Sequence, residues 1–232
     1  MNTVLQVGAA TLAAITAALN PLAASAARER VVVELFQSQG CSSCPPANAN
    51  VNVLASRDDV LALSFAVTYW DKLGWRDTFA RDEFTNRQYD YSRGLHTANV
   101  YTPQVVLNGR QDLTGIDRGE LDRSVAKAGR LSAGPLFFDG MGLGLRAGPA
   151  PRTAADIWLV RYDPRVLEVP VQSGENGGRT LPHKNIVREF TRLGTWNGQA
   201  SKLSLPPPTT RYSTAILLQE SGGGPILAVL VP

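Results

Sequence analysis

The chain of 232 residues carries 23 Lys and Arg against 20 Asp and Glu, a formal net charge of +3 at pH 7. This small charge, with no run of five like charges, does not indicate a nucleic-acid-binding protein. A hydrophobic fraction of 44% is ordinary for one large globular domain or two small ones, and the 2 cysteines are too few for a disulfide-rich scaffold.

The first 26 residues contain no charged side chain and differ from the rest of the chain. An apolar stretch from Val4 to Leu19 ends at Asn20-Pro21, and Ala24-Ser25-Ala26 supplies small residues for cleavage. Met1-Asn2-Thr3 lacks the usual positive charge, and the stretch is shorter than the ~20 residues of a membrane-spanning helix. Residues 1–26 are therefore predicted to be a cleaved signal peptide, with a membrane-anchoring helix as the alternative. The cleaved chain is expected to be periplasmic or secreted, without membrane contact.

The first predicted unit of the remaining chain is strand, helix, strand. Residues 31–36 are an almost continuous apolar run, typical of a strand that is covered on both faces. After a loop that contains both cysteines, Ala47, Val51 and Leu54 recur at helical spacing. Residues 60–67 form a second apolar run. This pattern predicts two buried strands joined by a helix.

A second helix follows the aromatic connection at residues 69–75. Phe84 and Tyr91 share one face of this predicted helix, since they are seven residues apart. Thr78 precedes them and carries a hydroxyl of the kind that caps helices. We therefore predict a helix that begins just after Thr78.

A hairpin and a third helix complete the predicted N-terminal unit. Asn108-Gly109 is the strongest hairpin signal in the chain, and it follows the apolar run Gln104–Leu107. Asp117 and Glu120 stand at the spacing of a helix capping box. Residues 28–131 are therefore predicted to form a compact α/β domain.

The residue pattern of the sequence changes near residue 132. Short apolar runs alternate with Gly- and Pro-rich connections at residues 174–178, 206–208 and 222–224, and no helical stripe is present. This pattern predicts that residues 134–232 form an all-β, sandwich-like module.

The only two cysteines, Cys41 and Cys44, are spaced C-x-x-C between a predicted strand and a predicted helix. This is the setting of a redox motif, because the helix start stabilises the thiolate that acts as nucleophile. Cys41 is predicted to attack and Cys44 to resolve the mixed disulfide. Pro45-Pro46 fixes the helix start close to Cys44 but removes two N–H donors. We therefore expect the N–H groups or hydroxyls of residues 42–44 to stabilise the sulfur.

Two further positions support a redox function. Glu34 is a carboxyl group within an apolar strand, and if buried it could take or return the proton of Cys44. The alternative is that Glu34 lies at the strand edge and reaches water. Pro103 enters a predicted strand, where a cis Thr102-Pro103 bond in a tight turn is one possibility.

Two other functions remain open from these residues. A permanently closed Cys41–Cys44 disulfide would fit a binding protein whose partner surface includes Tyr69, Trp70 and Trp75, although so short a loop contributes little stability as a staple. Two thiolates are also half of a tetrahedral metal site, for which only His96 and His183 could add imidazoles. We expect neither a bound metal nor a cofactor.

Four segments together resemble a known family: VVVELFQSQGCSSCPPAN, YWDKLGWRDTFA, VYTPQVVLNGR and HKNIVREF. Over residues 31–193 the chain is similar to an exported bacterial thioredoxin-like family catalogued as domain of unknown function 1223. The resemblance implies a thioredoxin-like domain in which Glu34 lies beneath the second cysteine. It also implies that a cis Pro103, with Thr102 before it, packs beside the cysteines and receives substrate backbone. The family pattern has His and Asp where this chain has Ala66 and Thr68, so no role is assigned to that pair.

The sequence therefore predicts a thiol–disulfide oxidoreductase with catalytic residues Cys41, Cys44 and Glu34. Predicted substrate-binding residues are Thr102, Pro103, Trp70 and Trp75. Its partners are expected to be thiols and disulfides of proteins or small molecules. The direction of electron transfer and the oligomeric state do not follow from the sequence.

Overall fold

The computed structural model describes residues 28–207 and 209–232. Within these ranges it contains one mixed eight-stranded sheet, two smaller sheets and three helices. The predicted signal peptide at residues 1–26 lies outside the described residues. Across the described ranges, the helices are too short or too polar to cross a membrane.

The N-terminal elements follow the predicted order of two strand–helix units, a hairpin and a last helix. The second helix begins at Asp82 rather than just after Thr78, because Thr78 lies in a loop where its hydroxyl accepts a hydrogen bond from Gln39 Nε2 at 3.0 Å. Asp117 does cap the third helix, accepting from Glu120 N at 2.7 Å. The elements are β1 (Val31–Gln37), α1 (Cys44–Leu54), β2 (Val60–Ala66), α2 (Asp82–Gly94), β3 (Gln104–Leu107), β4 (Gln111–Leu113) and α3 (Arg118–Lys127).

The described C-terminal residues form strands and connections without a helix, as the sequence predicts. The strands are β5 (Leu136–Asp139), β6 (Gly142–Leu145), β7 (Ala155–Asp163), β8 (Leu167–Pro170), β9 (Thr180–His183), β10 (Ile186–Trp196), β11 (Ser201–Ser204), β12 (Ser213–Glu220) and β13 (Ile226–Leu230).

The eight-stranded sheet runs through both halves of the chain, in the order β13-β12-β7-β10-β2-β1-β3-β4. Strand β1 lies parallel to β2 and antiparallel to β3, and β10 continues the sheet by pairing parallel to β2 at Ile186 and Ser64. The predicted all-β content of residues 134–232 is confirmed, but these residues are not a sandwich separate from the N-terminal unit. Four of their strands extend the N-terminal sheet, because an unpaired β2 would leave a row of backbone donors and acceptors without partners.

A sandwich-like layer is nevertheless present beside this extension. Strands β11, β6 and β5 form a separate three-stranded sheet. Its Leu136, Leu143 and Leu145 share a buried apolar cluster with Ile157 and Leu159 of β7. The division into two domains near residue 132 stays a prediction, since the main sheet is continuous across it.

The helices cover both faces of the N-terminal strands. Val33 and Leu35 of β1 share an apolar cluster with residues of α1 and α3, whereas Val32 and Phe36 share one with Phe84 and Tyr91 of α2. Because side chains alternate along a strand, Glu34 lies on the α2 face with Val32 and Phe36.

Glu34 belongs to a buried polar network on that face. Arg87 of α2 donates from Nε to Glu34 Oε1 at 2.7 Å and from Nη2 to Glu34 Oε2 at 3.0 Å. Tyr91 donates its hydroxyl to Glu34 Oε2, and Arg87 Nη1 donates to Gln219 Oε1 of β12 at 3.1 Å. The guanidinium carbon of Arg87 also lies 4.2 Å from the ring centre of Phe190. This network links β1 and α2 to two strands of the C-terminal half.

Replacing Arg87 by Met should destabilise the protein strongly. Arg87 and Glu34 have 3% and 0% side-chain exposure, so the variant leaves a buried carboxyl group without its partner. The free energy of unfolding, measured by urea denaturation, should fall by about 3–5 kcal/mol. The double variant Glu34→Leu with Arg87→Met should recover a large part of this loss, because no charge remains unpaired. A loss below about 1 kcal/mol in the single variant, the size seen for exposed pairs, would show that the pair does not hold the sheet together.

Candidate functional site

The cysteine loop leads from β1 into α1. Helix α1 begins at Cys44, with Pro45 and Pro46 in its first turn, so the predicted position of the helix start is confirmed. Cys41 and Cys44 form a disulfide with their Cα atoms 5.4 Å apart. The N–H of Cys44 donates to the carbonyl of Cys41 at 3.2 Å, which closes the loop over the disulfide.

The disulfide is closed to solvent although the loop itself is not. Cys41 is 0% exposed and Cys44 1% exposed. Ser42 and Ser43 between them are exposed. A thiol that attacks an incoming disulfide must reach it, so the loop or its neighbours must move before Cys41 can react.

Two of the three N–H groups expected to stabilise a thiolate are engaged elsewhere. The N–H of Ser42 donates to Glu175 Oε2 at 3.0 Å, and that of Cys44 donates to Cys41 O. The Ser43 hydroxyl lies 3.4 Å from Cys41 Sγ, and it also donates to Thr102 O at 3.4 Å. The Ser43 hydroxyl is therefore a polar group within 3.4 Å of Cys41 Sγ, and it is shared with Thr102 O.

The four predicted substrate-binding residues converge on this loop. The Thr102-Pro103 peptide bond is cis. Trp70 Nε1 donates to Thr102 Oγ1 at 2.8 Å, and Trp75 Nε1 donates to Gln39 Oε1 at 2.9 Å. Their part in binding substrate stays a prediction.

Glu34 is the predicted site residue that the structure does not bring to the cysteines. It lies on the α2 face of the sheet, whereas α1, which carries Cys44, packs on the other face. Both of its carboxylate oxygens accept hydrogen bonds from Arg87 and Tyr91. This position fits neither proton exchange with Cys44 nor contact with water. Arg87, whose hydrogen bonds fix the Glu34 carboxylate here, lies 53 residues further along the chain, so no local sequence pattern indicates the contact.

A loop of the C-terminal half covers the cysteine loop, and sequence reasoning missed it. Residues 171–179 join β8 to β9 and are called the covering loop below. Asn176, which is 0% exposed, donates from Nδ2 to Gln39 O and to Cys41 O, both at 2.9 Å. Ser173 donates its hydroxyl to Gly74 O at 2.5 Å. The glycines at 174, 177 and 178 predict a loop in the sequence, but they do not show that this loop contacts the cysteine loop.

Asp77 is a second buried group that the sequence did not single out. Its carboxylate accepts from the N–H of Gln39 at 2.7 Å and from the N–H of Phe79 at 2.8 Å. Burial raises the pKa of Asp77 to about 6, against the opposing effect of these hydrogen bonds. Asp77 therefore fixes the backbone two residues before Cys41.

His183 of β9 lies beneath α1, against Asn48, which is one helical turn after Cys44 in that helix. Its Nδ1 is 3.3 Å from Asn48 Nδ2, and its ring packs edge-on against Phe79 at 5.7 Å between centres. Its Nε2 is buried and has no hydrogen-bond partner among residues 28–207 and 209–232. Burial lowers the pKa of His183 to about 4, so the imidazole is neutral at pH 7.

The metal alternative gains no support from the described part of the chain. Within it, no three His, Cys, Asp or Glu side chains are arranged to hold a metal ion. His96 is exposed just beyond the end of α2, and His183 is buried against Asn48.

The family model described as "Protein of unknown function (DUF1223)" matches residues 32–219. The chain belongs to this family. It is similar to a protein from Agrobacterium tumefaciens of known X-ray crystal structure, with 31% identity and a TM-score of 0.67 over 88% of this chain and 95% of that one. It also resembles HBP35 of Porphyromonas gingivalis, with 11% identity and a TM-score of 0.53 over 87% of this chain and 74% of that one. At such low identity the second match shows likeness of fold alone. No curated protein matches the chain.

His183 should make the stability of this DUF1223 protein depend on pH. Its folded pKa of about 4 lies below the ordinary 6.5, so its contribution is complete above pH 6.5 and is lost as the pH falls toward 4. This one group should lower the free energy of unfolding by about 3 kcal/mol across that window.

The measurement is a series of urea denaturation curves between pH 7 and pH 4 for the wild type and His183→Gln. Asp77 acts in the opposite sense between pH 3.8 and about 6, but it is present in both proteins, so their difference isolates the imidazole. The exposed His96→Gln is the matched control. Parallel curves for wild type and His183→Gln would contradict the assignment.

Proposed function

We propose that this protein is a thiol–disulfide oxidoreductase of the bacterial periplasm or a secreted one. One observation carries the proposal: the Cys41–Cys44 disulfide lies at the start of α1, directly after a buried strand, with Thr102 O 3.4 Å from the hydroxyl of Ser43 between the cysteines. The partners are thiols and disulfides of proteins or small molecules. The reaction needs no cofactor, because the two sulfurs carry the electrons.

The order of the N-terminal elements supports a thioredoxin-like unit over residues 28–131, followed by a β-rich unit over 134–232. Strand β1 lies between the parallel β2 and the antiparallel β3, and β4 closes that edge. The clusters around β1 place α1 and α3 on one face and α2 on the other. A C-x-x-C pair in such a setting is typical of redox proteins of that fold.

The chemistry divides into two exchange steps. The Cys41 thiolate attacks one sulfur of a substrate disulfide, that S–S bond breaks, and the first substrate thiolate leaves. Cys44 then loses its proton and attacks Cys41 Sγ, which expels the second substrate thiolate and forms the Cys41–Cys44 disulfide. The substrate has gained two electrons, and the same steps run backwards oxidise a dithiol.

Replacing Cys44 by Ser should trap the first step. Without a resolving thiol, the mixed disulfide at Cys41 persists, and a protein or glutathione adduct should be seen by mass spectrometry and disappear with dithiothreitol. Cys41→Ser is the matched control and should form far fewer adducts. If Cys44→Ser forms none with any disulfide offered, the proposal fails.

The complete burial of Cys41 favours one second candidate, a binding protein whose disulfide stays closed. Its partner surface would include the half-buried Tyr69, Trp70 and Trp75. A disulfide that resists the glutathione couple, with a potential far below the ~−270 mV of a reductase, would favour this candidate.

A further inference from the structure

The covering loop brings the carboxylate of Glu175 to the cysteine loop and the guanidinium of Arg179 to Asn176. The carboxylate has no place in the exchange steps above. Glu175 Oε2 accepts the N–H of Ser42, the residue bonded to Cys41, at 3.0 Å. The side chain of Ser42, and after it the N–H of Ser42, hold the pKa of the Glu175 carboxyl below its ordinary value, so the group is ionised at neutral pH. The carboxylate therefore lies within one residue of the predicted nucleophile.

The position of Glu175 is fixed by its neighbours along the loop. Asn176 bonds the carbonyls of Gln39 and Cys41, and its own Oδ1 accepts from Arg179 Nη1 at 2.7 Å. The ends of the covering loop are joined by the N–H of Val171 donating to Arg179 O at 2.8 Å. The loop is therefore a closed unit that holds the exposed Glu175 side chain at Ser42.

The Glu175 carboxylate and the two prolines both make the thiolate form of Cys41 less stable. Pro45 and Pro46 supply no N–H at the helix start, and the N–H of Ser42 points to Glu175 instead of the sulfur. A negative charge close to a thiolate disfavours it. Destabilising the thiolate destabilises the reduced form of the pair relative to the disulfide, so the reduced pair gives up its electrons more readily.

We propose that Glu175 is a positioning residue that lowers the reduction potential of the Cys41–Cys44 pair and so favours electron transfer from the reduced pair to a substrate disulfide. This inference rests on the proposed oxidoreductase function, and it names a residue that biases that function toward the reduction of disulfides. Glu175 acts through the charge next to Cys41 and does not itself exchange electrons or protons with substrate.

A series of charges at position 175 tests the proposal. Glu175→Gln keeps an oxygen that can accept from Ser42 N and removes the charge, and Glu175→Lys reverses it. The equilibrium constant of the pair with glutathione buffers should shift about threefold toward the reduced dithiol in Glu175→Gln, which is about 14 mV at 29.6 mV per tenfold, and further in Glu175→Lys. The thiolate fraction of Cys41, followed by ultraviolet absorbance of the reduced protein, should rise in the same order. High salt should shrink both effects.

The matched controls are Glu168→Gln and Glu168→Lys, which change the charge equally at an exposed position of β8. They should leave both measurements at their wild-type values. Equal potentials across position 175, a shift toward the disulfide, or an equal shift at position 168 would overturn the proposal.

The result is separable from the test of the oxidoreductase function itself. The potential and the thiolate fraction are properties of the pair and are measured without a physiological substrate. If Cys44→Ser traps adducts and the position-175 variants all have the same reduction potential, the oxidoreductase function is supported and the role of Glu175 is refuted. If the reduction potential changes with the charge at position 175 but Cys44→Ser traps no adduct, the effect of Glu175 on the pair is supported and the oxidoreductase function is refuted.

Discussion

The pairing of β10 with β2 is the constraint on which the site depends. It is short, with Ser64 N donating to Asn185 O at 3.0 Å and Asn185 Nδ2 donating to Ala62 O at 2.8 Å. Asn185 adopts a positive φ of 52°, which turns the chain from β9 into β10 at the edge of β2. That turn sets the β8–β9 hairpin beside α1, where Pro182 O accepts from Asn48 Nδ2 at 2.8 Å. The covering loop at the other end of the hairpin then reaches the cysteines.

Polar groups, rather than apolar contacts, make most of the described connections between this hairpin and the site. Amide side chains such as Asn48 and Asn176 bond backbone carbonyls across the boundary between the halves. A hydrogen bond contributes only about 1 kcal/mol when it replaces one to water. A few such bonds hold a loop in one position and still allow it to open, which would let a partner reach the buried Cys41–Cys44 disulfide.

Local features of the fold could be predicted from the sequence because their causes are local. The buried strand at 31–36, the helix start fixed by the prolines and the Asp117 cap each depend on residues within a few positions of one another. The hairpin at Asn108-Gly109 is of the same kind, with φ of 50° and 64° at the two residues. The cysteine pair was found for the same reason, since motif and helix start are adjacent in the chain.

What could not be predicted depends on partners far away in the chain. The sequence predicts that Glu34 is an acid for Cys44 because it does not show the contact with Arg87, which lies 53 residues further along the chain. The Gly-rich connection at 174–178 carries Glu175 and Asn176, yet only the β10–β2 pairing brings it to residues 39–42. The alternation of side chains along β1 places Glu34 on the same face as Val32 and Phe36. It does not show which helix covers that face.

The continuous sheet has a consequence for the use of this protein as a reagent. A fragment that ends at residue 131 keeps both cysteines, the cis-proline bond and the aromatic residues around them. It loses the strand that covers the edge of β2, the Gln219 partner of Arg87 and the amide that bonds Gln39 and Cys41. Such a minimal domain would present an open apolar strand edge to other copies of itself, so the C-x-x-C segment of this chain depends on the C-terminal half for a covered sheet.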